Sequence, residues 1–178
     1  MDNTLILNTI LQYKPKESHI LLDIGGNDGT HSIFYSKNLP NCSILTFEPN
    51  QMLYSIINST IDINRLTNIQ TFNKAVGHKN QDEMIRLDDL NLHGCDYMKI
   101  ITGGYESLVL HGAMDLIHTY KPVIVFEHSK KHLNPTITSQ FGMYSWAIET
   151  PFEILKEEGY LIQPLSECYY LAKHIESD

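Results

Sequence analysis

A glycine-rich turn is the segment whose residue types point most directly to chemistry. The apolar run HILLDI, residues 19–24, leads straight into this turn, which consists of Gly25, Gly26, Asn27, Asp28 and Gly29. Glycine lets the backbone turn sharply and brings a ligand against bare amide groups. The segment therefore predicts a ligand-binding turn between a strand and a helix.

The order of residues in this turn disfavours a dinucleotide cofactor, whose fingerprint is Gly-x-Gly-x-x-Gly. Counted from Gly25 the third position is Asn27, and counted from Gly26 it is Asp28. Asp23, at the end of the apolar run, would also repel a pyrophosphate and attract a cationic amino group. S-Adenosylmethionine carries such a group beside its sulfonium, so we expect it to be the ligand.

A second acid, Glu48, follows the next apolar run in the segment Thr46-Phe47-Glu48-Pro49-Asn50. It lies about 20 residues beyond the glycine turn, where a carboxylate can accept both hydroxyls of an adenosine ribose. The alternative is that Asp23 and Glu48 merely cap helices or face solvent. The ligand-binding interpretation is favoured because these features occur in the order strand, acid, glycine turn, helix, strand and acid.

Short apolar runs alternate with helical patterns along the chain, which predicts an α/β fold with a parallel sheet covered by helices. Strands are predicted near residues 19–24, 43–47, 68–73, 96–101, 122–127, 160–163 and 168–172. Helices are predicted within 1–18 and near 30–38, 51–63, 104–119 and 151–158. Asn50 and Thr150 have the pattern of helix caps, and Gly159 that of a helix stop. The apolar stripe of the 51–63 helix should be core; it consists of Met52, Leu53, Ile56, Ile57 and Ile61.

Size and composition indicate one globular domain over residues 1–178, with 42% hydrophobic and 19% charged residues. No apolar run approaches the roughly 20 residues that span a bilayer, and the N-terminus lacks the pattern of an export signal. We therefore expect a cytoplasmic protein that has no membrane partner. Cys42, Cys95 and Cys168 are widely spaced, so we expect reduced core thiols and no metal site.

A net charge of −8 argues against nucleic-acid binding and favours small or neutral substrates. Residues 128–149 have no clear period, and long loops in compact domains are often functional, so we expect a lid over the acceptor. Its aromatic residues could stack on a sugar or simply pin the loop to the core. A homo-oligomer remains open.

The chain resembles the FkbM family of methyltransferases through motifs that occur in the family's order. They are Asp23 to Gly29 (DIGGNDG), Phe47 to Pro49 (FEP), Asn73 to Gly77 (NKAVG), Leu87 to Leu90 (LDDL), Asp96 to Ile100 (DYMKI), Gly104 to Glu106 (GYE), Leu110 to Ala113 (LHGA) and Pro122 to Glu127 (PVIVFE). The ordered set is much more specific than any one motif.

This resemblance implies a single Rossmann-like class I methyltransferase domain, with a mostly parallel sheet of about seven strands and helices on both faces. It also implies S-adenosylmethionine as methyl donor and O-methylation of a sugar, glycan or small-molecule hydroxyl. The expected cofactor-binding residues are Asp23, Gly25, Gly26, Asn27, Gly29, Glu48, Pro49, Ala75 and Val76, of which Ala75 and Val76 would lie near the adenine.

One departure from the family pattern follows Lys99-Ile100. The family usually has Asp, a variable residue, an acidic or amide residue and then Gly, whereas this chain has Ile101-Thr102-Gly103-Gly104. An aspartate could orient or deprotonate an acceptor or help to hold a metal, and isoleucine cannot. The catalytic role has therefore moved or been lost.

The first candidates for acceptor binding or proton removal are Glu127 and His128, at the end of the fifth predicted strand. The alternative is that Glu127 caps a neighbouring segment and His128 is a solvated loop residue. Lys99 could orient an acceptor or pair with Glu127. Two rival functions stay open: a catalytically degenerate relative that acts as a binding or regulatory module, and a ribose 2′-O-methyltransferase of RNA.

Overall fold

A seven-stranded sheet forms the centre of the protein. The structure is a computed structural model that describes residues 3–13, 19–129 and 150–176 of the chain. The strands are β1 (His19–Ile24), β2 (Cys42–Phe47), β3 (Ile69–Phe72), β4 (Ala75–Val76), β5 (Met84–Ile85), β6 (Tyr97–Ile100), β7 (Val123–Glu127), β8 (Tyr160–Pro164) and β9 (Tyr169–His174). The helices are α1 (Asn3–Gln12), α2 (Thr30–Asn38), α3 (Gln51–Asn64), α4 (Glu106–His111), α5 (Met114–Tyr120) and α6 (Pro151–Glu157).

The order of strands in this sheet is β3-β2-β1-β6-β7-β9-β8. The pairs that β9 forms with β7 and β8 are antiparallel, and the other neighbouring pairs are parallel. β4 and β5 form a separate two-stranded sheet. The chain runs outward from β1 to β3 and then returns to place β6 on the other side of β1. A crevice at the carboxyl ends of the strands is expected where the order reverses in this way. The predicted α/β fold with a mostly parallel seven-stranded sheet is confirmed.

Helices cover both faces of the sheet, as predicted. On one face α1 and α2 contribute Ile6, Ile10 and Tyr35 to a buried cluster with Leu21 and Ile44 of the sheet. On the other face α4, α5 and α6 pack over alternate residues of the same strands; buried members of this second cluster are Leu22, Met98, Ile124, Val109, Ile117 and Leu155. Because side chains alternate along a strand, each central strand contributes to both layers.

Local signals at the ends of the helices are confirmed. The side chain of Asn50 accepts hydrogen bonds from the backbone N–H groups of Met52, at 2.9 Å, and Leu53, at 3.2 Å. Thr150 forms a capping box with Glu153 at the start of α6. Gly159 has a φ of 81°, which is the left-handed conformation expected after a helix.

The single helix predicted over residues 104–119 is wrong, because the chain forms α4 and α5 with a break at Gly112 and Ala113. A Cβ atom at Gly112 would overlap the backbone carbonyl of Gly77, so the two segments approach through bare backbone. The carbonyl of Gly112 also accepts the N–H of Asp88 at 3.0 Å. Tertiary packing therefore interrupts a pattern that is locally helical.

The apolar stripe of α3 is less buried than predicted. Ile57 is fully buried against the glycine turn, but Met52 is 71% exposed and Ile56 is 43% exposed. The main partner of α3 in the sheet is β3, which is the edge strand. Part of the stripe therefore extends past the sheet that would cover it.

Several predictions fall at the edges of the described ranges. Residues 130–149, which contain most of the predicted lid, and residues 14–18, at the end of the predicted N-terminal helix, lie outside the described residues.

Cys42 and Cys95 are buried free thiols, whereas Cys168 is only half-buried. Within the described ranges, no helix is both long and apolar enough to cross a membrane.

The contact of Gly112 with Gly77 predicts that alanine at position 112 destabilises the protein more than alanine at a glycine with space around it. Gly112→Ala should lower the free energy of unfolding by about 1–3 kcal/mol, because the new methyl group must displace backbone. Gly94→Ala is the matched control, since a Cβ there meets only Ile20 at an ordinary distance of 3.8 Å. Urea unfolding of both variants measures the difference, and equal stabilities would contradict the packing account.

Candidate functional site

A cavity of about 670 Å³ opens at the carboxyl ends of β1, β2 and β6, where the strand order reverses. Its wall is made by the glycine turn, the start of α2, the segment after β2, the β4–β5 segment and the residues that follow β6. The lining residues are Ile24, Gly25, Gly26, Asn27, Asp28, Thr30, His31, Phe47, Glu48, Pro49, Leu53, Lys74, Ala75, Val76, Met84, Lys99, Ile101, Thr102 and Tyr105.

The glycine turn is tied to both neighbouring strands. The N–H groups of Gly25 and Gly26 both donate to the carbonyl of Phe47 at 3.0 Å, which joins the turn to the end of β2. Gly25 has a φ of 80°, and a Cβ there would overlap the carbonyl oxygen of Ile101 after β6. Only glycine fits this position, so the turn forms a close, bare-backbone floor for the cavity.

Glu48 lies in the cavity wall and its carboxylate is held on both sides. One oxygen accepts the N–H of Asn27 at 2.8 Å, and the other accepts the N–H of Asn50 at 2.8 Å. The residue is only 7% exposed, so the alternative that it merely faces solvent is wrong. A carboxylate oxygen has about two lone-pair sites, so each can still accept a hydroxyl from a ligand.

Asp23 lies beneath the cavity rather than in its wall. It is fully buried, and its carboxylate accepts from the Lys99 ammonium at 2.7 Å and from the Ser32 hydroxyl. Ser32 in turn shares a 2.8 Å hydrogen bond with Thr46. This corrects the expectation that Asp23 itself meets a cationic ligand group, because a protein cation already occupies that position.

Lys99 pairs with Asp23 and not with Glu127, which was one expectation. Asp23 and Lys99 are opposite each other on the neighbouring strands β1 and β6. The ammonium also donates to the carbonyl of Gly25 at 2.7 Å, so it supports the glycine turn from below. Lys99 reaches the cavity wall, although its side chain is only 1% exposed.

Glu127 and His128 lie together at the end of β7, but neither is among the residues that line the cavity. Burial, and then the Glu127 carboxylate, raise the pKa of Tyr169 to about 12. His128 packs edge-to-face on Phe152, with 5.1 Å between the ring centroids. Burial lowers the pKa of His128, and the nearby Glu106 carboxylate opposes that shift.

The segment that departs from the family pattern is fixed by Glu106. One oxygen of this buried carboxylate accepts the N–H and hydroxyl of Thr102, each at 2.9 Å, and the N–H of Gly104 at 3.2 Å. Ile101, at the position where the family pattern has Asp, lines the cavity together with Thr102. Among the described residues, the carboxylates that line the cavity are therefore those of Asp28 and Glu48.

Several lining residues were not among the predicted site residues, including His31, Lys74, Met84 and Tyr105. His31 could have been found, because it stands two residues after the last glycine of the turn. Its Nε2 atom is buried and has no hydrogen-bond partner in the described part of the chain. Burial, and then Lys99, lower the pKa of His31, while Asp23 and Asp28 oppose that shift. Met84 enters the wall through the unpredicted β4–β5 sheet, for which the sequence has no periodic signal.

No protein-family model and no curated protein matches the sequence. The methyltransferase FkbM of Methylobacillus flagellatus is 16% identical, with a TM-score of 0.63 over 86% of this chain. The chain spans only 43% of that protein's length. Precorrin-6y C5,15-methyltransferase of Geobacter metallireducens is 14% identical, with a TM-score of 0.64 over 98% of this chain and 90% of its own.

An rRNA methylase of Streptococcus thermophilus is 9% identical, with a TM-score of 0.63 over 97% of this chain and 95% of its own. Each of these three methyltransferases superposes on most of this chain, which itself has a mostly parallel seven-stranded sheet. The chain has the class I methyltransferase fold. At such low identity the likeness concerns the fold, and the class I methyltransferase fold carries many acceptors.

The buried pair beneath the cavity predicts strong coupling between Asp23 and Lys99. Asp23→Asn and Lys99→Met should each lower the free energy of unfolding by about 3–5 kcal/mol, because each leaves an uncompensated buried charge. The double variant should lose less than the sum of the two. Denaturant unfolding of the four proteins gives the coupling energy, and purely additive losses would contradict the pairing.

Proposed function

We propose that the protein is an S-adenosylmethionine-dependent methyltransferase. The observation that carries this proposal is the fixed Glu48 carboxylate in the cavity wall, 2.8 Å from the N–H of Asn27 in the glycine turn. The carboxylate offers acceptors for two hydroxyls beside the bare backbone of the glycine turn, as an adenosine with an extended 5′ substituent requires. The class I methyltransferase fold supports the same assignment.

The cavity residues fit S-adenosylmethionine. Glu48 would accept the ribose hydroxyls, and the glycine turn leaves room because no Cβ can project from Gly25. Apolar side chains beyond Glu48 would enclose the adenine; they are Leu53, Ala75, Val76 and Met84. The amino-acid end would then lie toward the start of α2 and Lys99. The volume of about 670 Å³ is in the range of ligand pockets.

The other end of the cavity would receive the acceptor. When bound, the cofactor supplies an electrophilic methyl group that is already activated for in-line displacement. Ile101, Thr102 and Tyr105 form the wall there and would orient the acceptor and exclude water. Positioning then accounts for much of the acceleration, since no described carboxylate lines that end. Glu127 and His128 remain predictions for the acceptor side.

The acceptor that we propose is a hydroxyl of a sugar, glycan or other small molecule in the cytoplasm. The ordered motifs shared with the FkbM family support this class, and the structural likeness to an FkbM methyltransferase is consistent with it. The net charge of −8 disfavours RNA, although an rRNA methylase has the same fold.

A second candidate function is a catalytically degenerate module that keeps the cofactor site. The observation that favours it is the replacement of an expected acid by Ile101, whose neighbour Thr102 is held by Glu106 rather than free to act on an acceptor. This module would bind S-adenosylmethionine and release no product. Turnover therefore separates the two candidates.

Isothermal titration with S-adenosylhomocysteine tests the cofactor site. Glu48→Gln should weaken binding by about 10–100-fold, because hydrogen bonds to a charged acceptor are worth about 1.5–3 kcal/mol. Glu157→Gln, on the exposed side of α6, is the matched control and should bind like the unaltered protein. Absence of binding by the unaltered protein would refute the proposed function.

A turnover screen tests the acceptor class. The purified protein with S-adenosylmethionine should release S-adenosylhomocysteine when it is offered a mixture of sugars and small alcohols. Release with RNA alone would move the proposal to the RNA acceptor. Cofactor binding without release across all of these acceptors would favour the degenerate module.

A further inference from the structure

His31 is a cavity residue with an unmet hydrogen-bonding group. It lies in the first turn of α2, directly after the glycine turn, and its ring stacks on Tyr35 with 6.5 Å between centroids. The buried Nε2 has no hydrogen-bond partner among residues 3–13, 19–129 and 150–176. Leaving a buried polar atom unpaired costs free energy, which a ligand group at this position would recover.

Two lysines, Lys74 and Lys99, and the neutral imidazole of His31 line the cavity. Lys74 lies on the adenine side, where its ammonium donates to the carbonyl of Asp82 at 2.6 Å. Lys99 donates to the carbonyl of Gly25 in the glycine turn, and His31 follows that turn, close enough to Lys99 for the ammonium to affect its pKa. S-Adenosylmethionine has one anionic group, the carboxylate of its amino-acid part. With the ribose on Glu48, that carboxylate would lie by the glycine turn, near Lys99 and His31.

We propose that His31 binds the carboxylate of the cofactor's amino-acid part through Nε2 and takes up a proton when it does so. This inference rests on the proposed cofactor. It makes His31 a recognition residue for the amino-acid part, and it links cofactor affinity to pH.

The charges around His31 explain the direction of the linkage. Lys99 on β6 faces the imidazole and disfavours its protonation, while Asp23 on β1 and Asp28 in the turn favour it. Burial is the largest effect, so the imidazole is neutral in the free protein at neutral pH. A bound carboxylate adds a negative charge beside Nε2 and stabilises the imidazolium. Affinity should therefore rise as the pH falls toward the lowered pKa of the free protein, and level off below it.

Two stable probes separate recognition of the carboxylate from recognition of adenosine. S-Adenosylhomocysteine has the carboxylate, whereas 5′-methylthioadenosine keeps the adenosine and the sulfur but lacks the amino acid. Calorimetry in buffers of different ionisation enthalpy should show proton uptake with S-adenosylhomocysteine and none with methylthioadenosine. His31→Asn should abolish the uptake and weaken S-adenosylhomocysteine about tenfold, with little change for methylthioadenosine.

Two further variants keep this test specific. His31→Gln can still donate a hydrogen bond near the position of Nε2, so it should recover part of the affinity without proton uptake. His93→Asn changes an exposed histidine outside the cavity wall and should retain both affinity and uptake. Denaturant unfolding of each variant verifies that it is folded.

The outcomes distinguish this inference from the proposed function. If neither probe binds the unaltered protein, the proposed cofactor is wrong and the inference falls with it. If both probes bind and His31→Asn leaves the uptake and the affinity for S-adenosylhomocysteine unchanged, only the role of His31 is wrong. An equal loss of affinity for both probes would show a structural effect of His31 and would also overturn the inference.

Discussion

The buried contact of Lys99 with Asp23 is the interaction on which the rest of the site depends. It joins the two strands that flank the point where the strand order reverses, and the same ammonium holds the carbonyl of Gly25. Two ions that lose water this completely are stable only when their remaining hydrogen bonds are also satisfied, and Ser32 supplies one of those. The pair therefore fixes the glycine turn from below.

The position of the turn determines what the cavity can recognise. Because Gly25 and Gly26 both donate to Phe47, the segment that follows β2 is held beside the turn, and Glu48 comes to face the cavity. The backbone N–H of Asn27 then orients the Glu48 carboxylate. Backbone geometry and three buried charges, those of Asp23, Glu48 and Lys99, thus position the polar groups of this cavity, and apolar residues enclose it.

Sequence patterns predicted much of the fold and about half of the site, for physical reasons. β1 and α2 occupy their predicted residues because the spacing of apolar residues and the glycines at the turn between them are signals within the local sequence. The break at Gly112 depends on contact with Gly77, and the pairing of Asp23 with Lys99 depends on strand register, so neither has a local signal. Glu48 was predictable because strand and acid adjoin in sequence. The unpaired Nε2 of His31 becomes evident only when the cavity is assembled.

A crystal structure of the protein with S-adenosylhomocysteine would test the central claim most directly. The account predicts that the ribose hydroxyls lie within hydrogen-bond distance of the Glu48 carboxylate, that the adenine lies among Leu53, Val76 and Met84, and that the amino-acid end lies toward His31 and Lys99. A ligand bound elsewhere on the protein, or one whose ribose has no contact with Glu48, would contradict it.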